Sequence, residues 1–341
     1  MREILCSGQA RSLEFPYPGG MAALCWSPAG ERGELTVSLH YDGAYGMGEK
    51  YNAVNQKGHT AVNEVEEKFC FQGEKTYCPA PFFWTNTGFG LYAATDERTS
   101  FRFGEKAVCA ELPVDCRVVL FSGMPGEIIR DYMDLFGPAK LPPKWAFGPW
   151  ISANHWDSQE KVERAVAQAE EHGFPVCALV AEAWSDEATF YVFRGARYVP
   201  KPNGGAFRLE DFDFSDSPWP DPAGMVQRLH EKGIRFLLWQ IPVYKKQGPD
   251  EPLNAQNELD QADAVARGLC VHNADGSPYT IPEGYWFAGS MIPDFTNPAA
   301  EETWFSKRNY LTEMGIDGFK TDGGEFIYRE AVSYTHLTLP T

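Results

Sequence analysis

Three times in succession a helical pattern ends at a glycine and runs into a short apolar strand, at Gly173, Gly233 and Gly315. Repetition of helix, glycine and strand is the pattern of parallel βαβ units, and it confines this part of the chain to an α/β architecture. In the first unit Asp157 is the expected N-cap, with Glu160 three residues on as its capping-box partner. Val162, Ala165, Val166 and Ala169 then follow at helical spacing, and a strand is expected over Val176–Trp184. In the second unit Asp221 caps a helix with Pro222 in its first turn, Met225, Val226 and Leu229 face inward, and the strand is Ile234–Gln240. In the third, Asn297 and Pro298 open a helix carrying Trp304, Phe305 and Leu311, which ends at Gly315. The run Ile316–Asp322 supplies the last strand. Short apolar runs of this kind suit strands covered on both faces.

The preceding part reads differently. Short alternating segments such as Glu34–Leu39 and Cys116–Phe121, separated by Gly, Pro and Asn turns, predict a β-sandwich over residues 1–137. A helix is expected over Met124–Phe136, and Pro138, Pro142 and Pro143 form a stiff linker. The loop Tyr45–Tyr51 holds two glycines that permit a tight path and Glu49, whose carboxylate can brace it. The aromatic, proline-stiffened stretch Tyr77–Asn86 suits either packing or a binding surface. The expected division is therefore a β-sandwich over 1–137 and an α/β part over 138–332, with the segment 333–341 after it.

Composition narrows the function classes. Hydrophobic residues at 43% and aromatic residues at 14% are enough for a sizeable core. The formal charge is −17, from 47 acidic and 30 basic residues without a basic run, which excludes a nucleic-acid partner. Cysteines at 6, 25, 70, 78, 109, 116, 177 and 270 show no C-x-x-C spacing. The segment Met1–Cys6 opens no apolar run of signal-peptide length, and no stretch is long enough to span a membrane. Free thiols in a cytoplasmic protein are the expectation. No His pair or carboxylate cluster has ligand spacing, so neither metal nor cofactor is expected, and a metal-dependent hydrolase is disfavoured.

Chemistry gathers at the C-terminal ends of the strands, the edge where barrels place their active sites. The end residues are Glu182 with Trp184, then Trp239, then Lys320 with Asp322. Alternation puts Gly318, Lys320 and Asp322 on one face and Phe319 and Thr321 on the other. Asp322 is the candidate nucleophile, with the Lys320 charge favouring its ionised form. The plain alternative is an aspartate that caps the following Gly323-Gly324 turn beside a solvated lysine. The long excursion from Val243 to Phe295, with a helical run over Leu259–Arg267 and an Asp275-Gly276 turn, is expected to build the rim of the site.

Four motifs now carry a resemblance: Y-G-M-G-E-K at 45–50, P-P-K-W-A-F-G-P-W at 142–150, P-D-F-T-N-P at 293–298 and F-K-T-D-G-G-E at 319–325. In this order they resemble glycoside hydrolase family 31, the retaining α-glycosidases that include α-glucosidases and α-xylosidases. The resemblance implies an N-terminal β-sandwich followed by the first half of a (β/α)8 TIM barrel. It implies that Asp322 attacks an anomeric carbon, that Lys320 contacts the sugar, and that Trp239 walls the pocket. The loop carrying Glu49 is similar to one that reaches into that pocket, and Glu325 is assigned to bracing the loop after the nucleophile. One departure stands out: the family's sugar-binding Asp on the second strand falls at Ala181 here, so either the adjacent Glu182, with Trp184, binds substrate with a longer reach, or hydroxyl recognition differs in this chain. The implied partner is an oligosaccharide or glycoside, with glucose, xylose and galactose all open, and the complete protein is compatible with a homo-oligomer. The family's general acid comes from a later strand, expected beyond residue 341. The segment 333–341 resembles translated vector sequence, so His336 is not read as catalytic. The competing reading is a carbohydrate-binding or interaction fragment without activity of its own.

Overall fold

A computed structural model of the chain describes residues 1–65, 76–202, 204–324 and 326–327. The chain divides into two compact units, Met1–Leu141 and Pro142–Thr341. In the first, eleven strands among the described residues form two antiparallel sheets. They are β1 (Arg2–Cys6), β2 (Arg11–Tyr17), β3 (Gly20–Ala29), β4 (Arg32–Ser38), β5 (Ala44–Gly48) and β6 (Thr60–Asn63). Then come β7 (Pro79–Thr85), β8 (Phe89–Ala94), β9 (Thr99–Phe103), β10 (Ala107–Pro113) and β11 (Cys116–Ser122). One sheet runs β1-β11-β8-β7-β5 and the other β2-β3-β4-β10-β9-β6.

Alternation along each strand sends one row of side chains inward. Leu24 and Trp26 of β3 and Leu35 and Val37 of β4 meet Phe83, Phe89, Leu91 and Val118 of the other sheet in one core. The stretch Tyr77–Asn86 is used for packing: Phe83 enters that core, while Phe82 stacks on Tyr132 of helix α1 (Pro125–Asp134) at 3.8 Å between ring centroids.

In the second unit the strands β12 (Trp150–Ala153), β13 (Ala178–Ala181), β14 (Arg235–Gln240) and β15 (Gly318–Thr321) pair in chain order, all parallel. Helices α2 (Gln159–Glu171) and α3 (Pro222–Glu231) connect the first three strands. Their Val162, Val166, Met225, Val226 and Leu229 pack on Leu179, Ala181, Phe236 and Leu238. The opposite face of the sheet carries Ala178, Val180 and Leu237 against Trp145. The stops at Gly173 and Gly233 are as expected, each in the left-handed region at φ +65° and +75° that a side chain would disfavour.

Three details depart from the sequence reading. The cap of α2 is Ser158, whose Oγ accepts from the Lys161 amide, while Asp157 pairs with Lys161 and Arg194 instead. The second strand stops at Ala181, short of the expected Trp184, because the chain then turns around Asp186, whose carboxylate accepts from the amides of Ala188 and Thr189. The third helix is two pieces, α5 (Pro298–Ser306) and α6 (Asn309–Glu313), preceded by the rim helix α4 (Ala255–Ala266). The break falls at Lys307 and Arg308, both buried, and Phe305 faces outward rather than in. Lys307 is drawn to Asp260 of α4, an ion pair that a continuous helix would have to break. Among the described residues, no helix is long and apolar enough to cross a membrane.

Candidate active site

The site is built at the C-terminal edge of the parallel sheet. Strand β15 places Asp322 one residue past its end, where the Asp322 amide donates to the Gln240 carbonyl at 2.8 Å. That bond continues the β14–β15 ladder by one rung and fixes the backbone that carries the carboxylate. The carboxylate accepts from the Trp239 indole Nε1 at 2.9 Å through Oδ2, and from the Gly323 amide at 3.0 Å through Oδ1. Both of these donors are neutral and rigidly mounted.

Lys320 lies on the same face, as alternation requires, but its charge goes elsewhere. Its ammonium reaches across β14 to Glu182 at the end of β13, 2.9 Å from Oε1. Ser152 of β12 donates to the same oxygen. The expected pairing of Lys320 with Asp322 is therefore corrected: a second carboxylate on the same face captures the lysine, and among the described residues Asp322 is held by N–H groups of the chain.

Trp184 does not face this edge. It is completely buried in the layer beneath the helices, with its ring on Phe193 at 4.8 Å, and its Nε1 donates to the Trp239 carbonyl at 2.7 Å. With β13 ending at Ala181, the alternation that would have put Trp184 beside Glu182 does not extend that far. Trp184 buttresses the Trp239 backbone instead.

Trp239 is 8% exposed, packed edge-on against Phe190 at 5.5 Å and near Trp286 at 6.3 Å. Phe190 and Phe287, which also touch one another, both hold left-handed backbone conformations (φ +57° and +60°), an arrangement that costs energy for a bulky residue and marks a shaped rim. Trp286 was not singled out in the sequence. It is 53% exposed on the long excursion after β14, so a flat indole stands open beside Trp239, whose indole donates to the Asp322 carboxylate. The adjacent aromatics Tyr285-Trp286 within a long polar loop are the signal that could have found it.

Glu49 belongs to the first unit, on an exposed loop after β5, where its amide donates to the Cys78 carbonyl and its carboxylate accepts from the Tyr51 hydroxyl at 3.4 Å. Glu325, Cys70 and the segment 333–341 with His336 lie outside the described residues. Among the described residues, no group of three His, Cys, Asp or Glu side chains is arranged to hold a metal ion.

A family model described as "Glycosyl hydrolases family 31 TIM-barrel domain" matches residues 139–338. The isomaltosyltransferase of Sporosarcina globispora is 35% identical over 304 residues, 86% of this chain and 28% of that protein. The 1,3-alpha-isomaltosidase of Kribbella flavida is 34% identical over 328 residues, 92% of this chain and 45% of that protein. Among solved structures, the cycloalternan-forming enzyme from Listeria monocytogenes, in complex with a pentasaccharide substrate, superposes with a TM-score of 0.84 at 34% identity, over 93% of this chain and 32% of that one. This chain spans less than half the length of each of these relatives.

Proposed function

The chain belongs to glycosyl hydrolase family 31, and from that premise we propose that it carries the nucleophile half of a retaining α-glycosidase site, with Asp322 as the attacking carboxylate. The observation that carries this reading is the hold on Asp322: a ladder bond to its amide and one N–H donor to each carboxylate oxygen. A nucleophile must be ionised and fixed, and rigid donors at a strand end serve both needs. In the retaining reaction one Asp322 oxygen bonds to the anomeric carbon as the glycosidic bond breaks, the leaving oxygen taking its proton from a partner acid. Water then attacks the anomeric carbon, giving its proton to the partner group that has lost one, the bond from that carbon to the Asp322 oxygen breaks, and Asp322 regains its charge.

The other groups on this face take supporting roles in the proposal. Lys320 and Glu182, paired with each other, offer a donor and an acceptor to sugar hydroxyls, with Ser152 completing the acceptor's orientation. Trp286 and Trp239 present indole faces on which the apolar face of a pyranose can stack. The substrate class proposed is an α-linked gluco-oligosaccharide. It is supported by the two relatives above 30% identity whose names concern isomaltosyl groups. The architecture proposed for the chain is a β-sandwich followed by the first half of a (β/α)8 barrel. Support for it comes from the core shared by the two antiparallel sheets and from the parallel order β12-β13-β14-β15.

The test is covalent trapping in the active enzyme. A 5-fluoro-α-glucosyl fluoride should label a single peptide, at Asp322, and Asp322→Ala should abolish both labelling and turnover. Label on any other carboxylate, or turnover that survives the substitution, overturns the assignment. Oligosaccharide binding with no labelling and no turnover would instead favour a carbohydrate-binding fragment.

A further inference from the structure

Behind the carboxylate lies a charged residue that the reading above leaves unused. Arg308, at the break between α5 and α6, is 2% exposed. Its guanidinium lies on the Trp304 ring, 3.7 Å from the centroid, and donates from Nη1 to the Trp304 carbonyl at 2.9 Å. From Nε it donates to the Gln240 side-chain oxygen at 2.6 Å. Burial pushes the guanidinium down to about 10, which leaves it charged at neutral pH.

A buried cation bonded to neutral acceptors is a poor device for stability, since an apolar side chain of similar volume would fill the space without the desolvation cost. What the cation does secure is orientation. A guanidinium has only donors, so the Gln240 amide must turn its oxygen towards Arg308 and its nitrogen the other way. That nitrogen donates to the Thr321 hydroxyl at 2.8 Å. Gln240 thus grips β15 twice, at the Thr321 side chain and, through its own carbonyl, at the Asp322 amide. The preceding residue, Trp239, holds the Asp322 carboxylate. Among the described residues, the hydrogen bonds that position Asp322 from β14 therefore come from the Trp239-Gln240 pair, and Arg308 locks the second member of that pair.

We propose that Arg308 is the positioning residue for the Asp322 carboxylate, acting through the Gln240 amide. Its effect on rate rests on Asp322 being the nucleophile, whereas the geometric coupling does not.

The experiment uses Arg308→Met, Gln240→Leu, their combination, and Arg308→Lys, each read in two ways. The first readout is the Trp239 indole N–H resonance, assigned with Trp239→Phe, which reports the contact with Asp322 whether or not that carboxylate attacks a sugar. The second is inactivation by the fluorinated glycosyl fluoride, separated into its maximal rate and its binding constant. Both single variants should move the indole signal towards that of a free indole. They should lower the maximal inactivation rate by about tenfold or more, as a displaced reacting group does, with the binding constant little changed. The double variant should be no worse than either single one, and Arg308→Lys, which keeps the charge but not the planar fork, should recover little. An indole signal unmoved in both single variants refutes the coupling. So do rate losses that multiply in the double variant, or losses that fall on binding. If the parent protein is not labelled at all, the proposed nucleophile fails, and the indole signal still decides the positioning role.

Discussion

Replacing Trp239 by Phe isolates the donor that holds the Asp322 carboxylate. The indole Nε1 sits 2.9 Å from Oδ2, and the side chain is 8% exposed, so solvent does not freely replace the lost donor. Phenylalanine keeps the edge-on packing against Phe190 at 5.5 Å, and the Trp239 carbonyl stays bonded to Trp184, so the strand itself is undisturbed. A hydrogen bond to a charged group is worth about 1.5–3 kcal/mol. At ~1.4 kcal/mol for each factor of ten, this corresponds to about ten- to a hundredfold in rate. The loss should fall on one step more than the other. On the proposed mechanism, negative charge returns to the carboxylate when the ester is hydrolysed, and the indole stabilises that charge as it forms. Deglycosylation should therefore slow more than glycosylation, and an aryl glycoside should show a burst of released phenol followed by a slow steady state. Mass spectrometry during that steady state should find the glycosylated Asp322 peptide accumulated. A variant with unchanged turnover, or one whose loss lies wholly in KM, would refute the role given to the indole.

Glu182→Gln removes one half of the pair with Lys320, whose side chain is 47% exposed, so the folding cost should stay within about 1 kcal/mol. Its kcat/KM should nevertheless fall sharply for the best sugar and much less for the deoxy analogue lacking the recognised hydroxyl; equal losses on both sugars would remove Glu182 from recognition. Asp260 and Lys307 are buried together, and Asp260 also accepts from Tyr191 and Gln256. Asp260→Ala strands the lysine and Lys307→Met strands the carboxylate, so each should cost about 3–5 kcal/mol in urea unfolding, the second at the lower end because Tyr191 and Gln256 still donate to Asp260; a cost below about 1 kcal/mol for either would contradict this. In the first unit, burial raises Cys6 and Tyr41 to about 12 and Cys116 to about 11. Groups raised in this way contribute stability that is present below their unfolded values near 9 to 10 and lost as the pH climbs through the folded ones. Lys50, lowered to about 8 by burial, works in the opposite direction between about 8 and 10.5. Stability should fall above pH 9, less steeply in Cys6→Ala and more steeply in Lys50→Met, and slopes unaffected by either change would contradict the assignment.

What the sequence disclosed was whatever local spacing encodes. Asp221 with Pro222, and Asn297 with Pro298, open helices where their side chains cap the first turn, because a cap and its partner lie three residues apart or fewer. The alternation in β15 also held: Phe319 packs on the helix side, while Lys320 and Asp322 share the other face. Errors arose where a distant partner decided the outcome. Asp157 and Ser158 are both good caps. Serine takes the role because Asp157 is drawn to Lys161 and to Arg194 in the next loop. Local spacing pairs Lys320 with the carboxylate two residues away, yet its partner is Glu182, 138 residues distant in the chain. The placing of Trp184 beside Glu182 needs a strand that in fact ends three residues earlier, and Trp286 sits in a loop without periodicity.

The same distinction bears on the chemistry. A lysine beside a nucleophilic carboxylate would stabilise its charge but, being long and flexible, would not fix its direction. Here the lysine is committed to Glu182, and the two form a pair with no net charge on the face that would meet a neutral sugar. Asp322 is held by an indole N–H and a backbone amide, whose positions are set by the strand end. Such donors keep their orientation as charge leaves the carboxylate and returns to it, so little reorganisation accompanies either step. The buried Arg308 fits the same logic from behind, since its fixed fork directs an amide rather than supplying charge to the carboxylate. On the proposed reading, then, the cations near this nucleophile act by orienting its neighbours, and neutral dipoles act on the nucleophile itself.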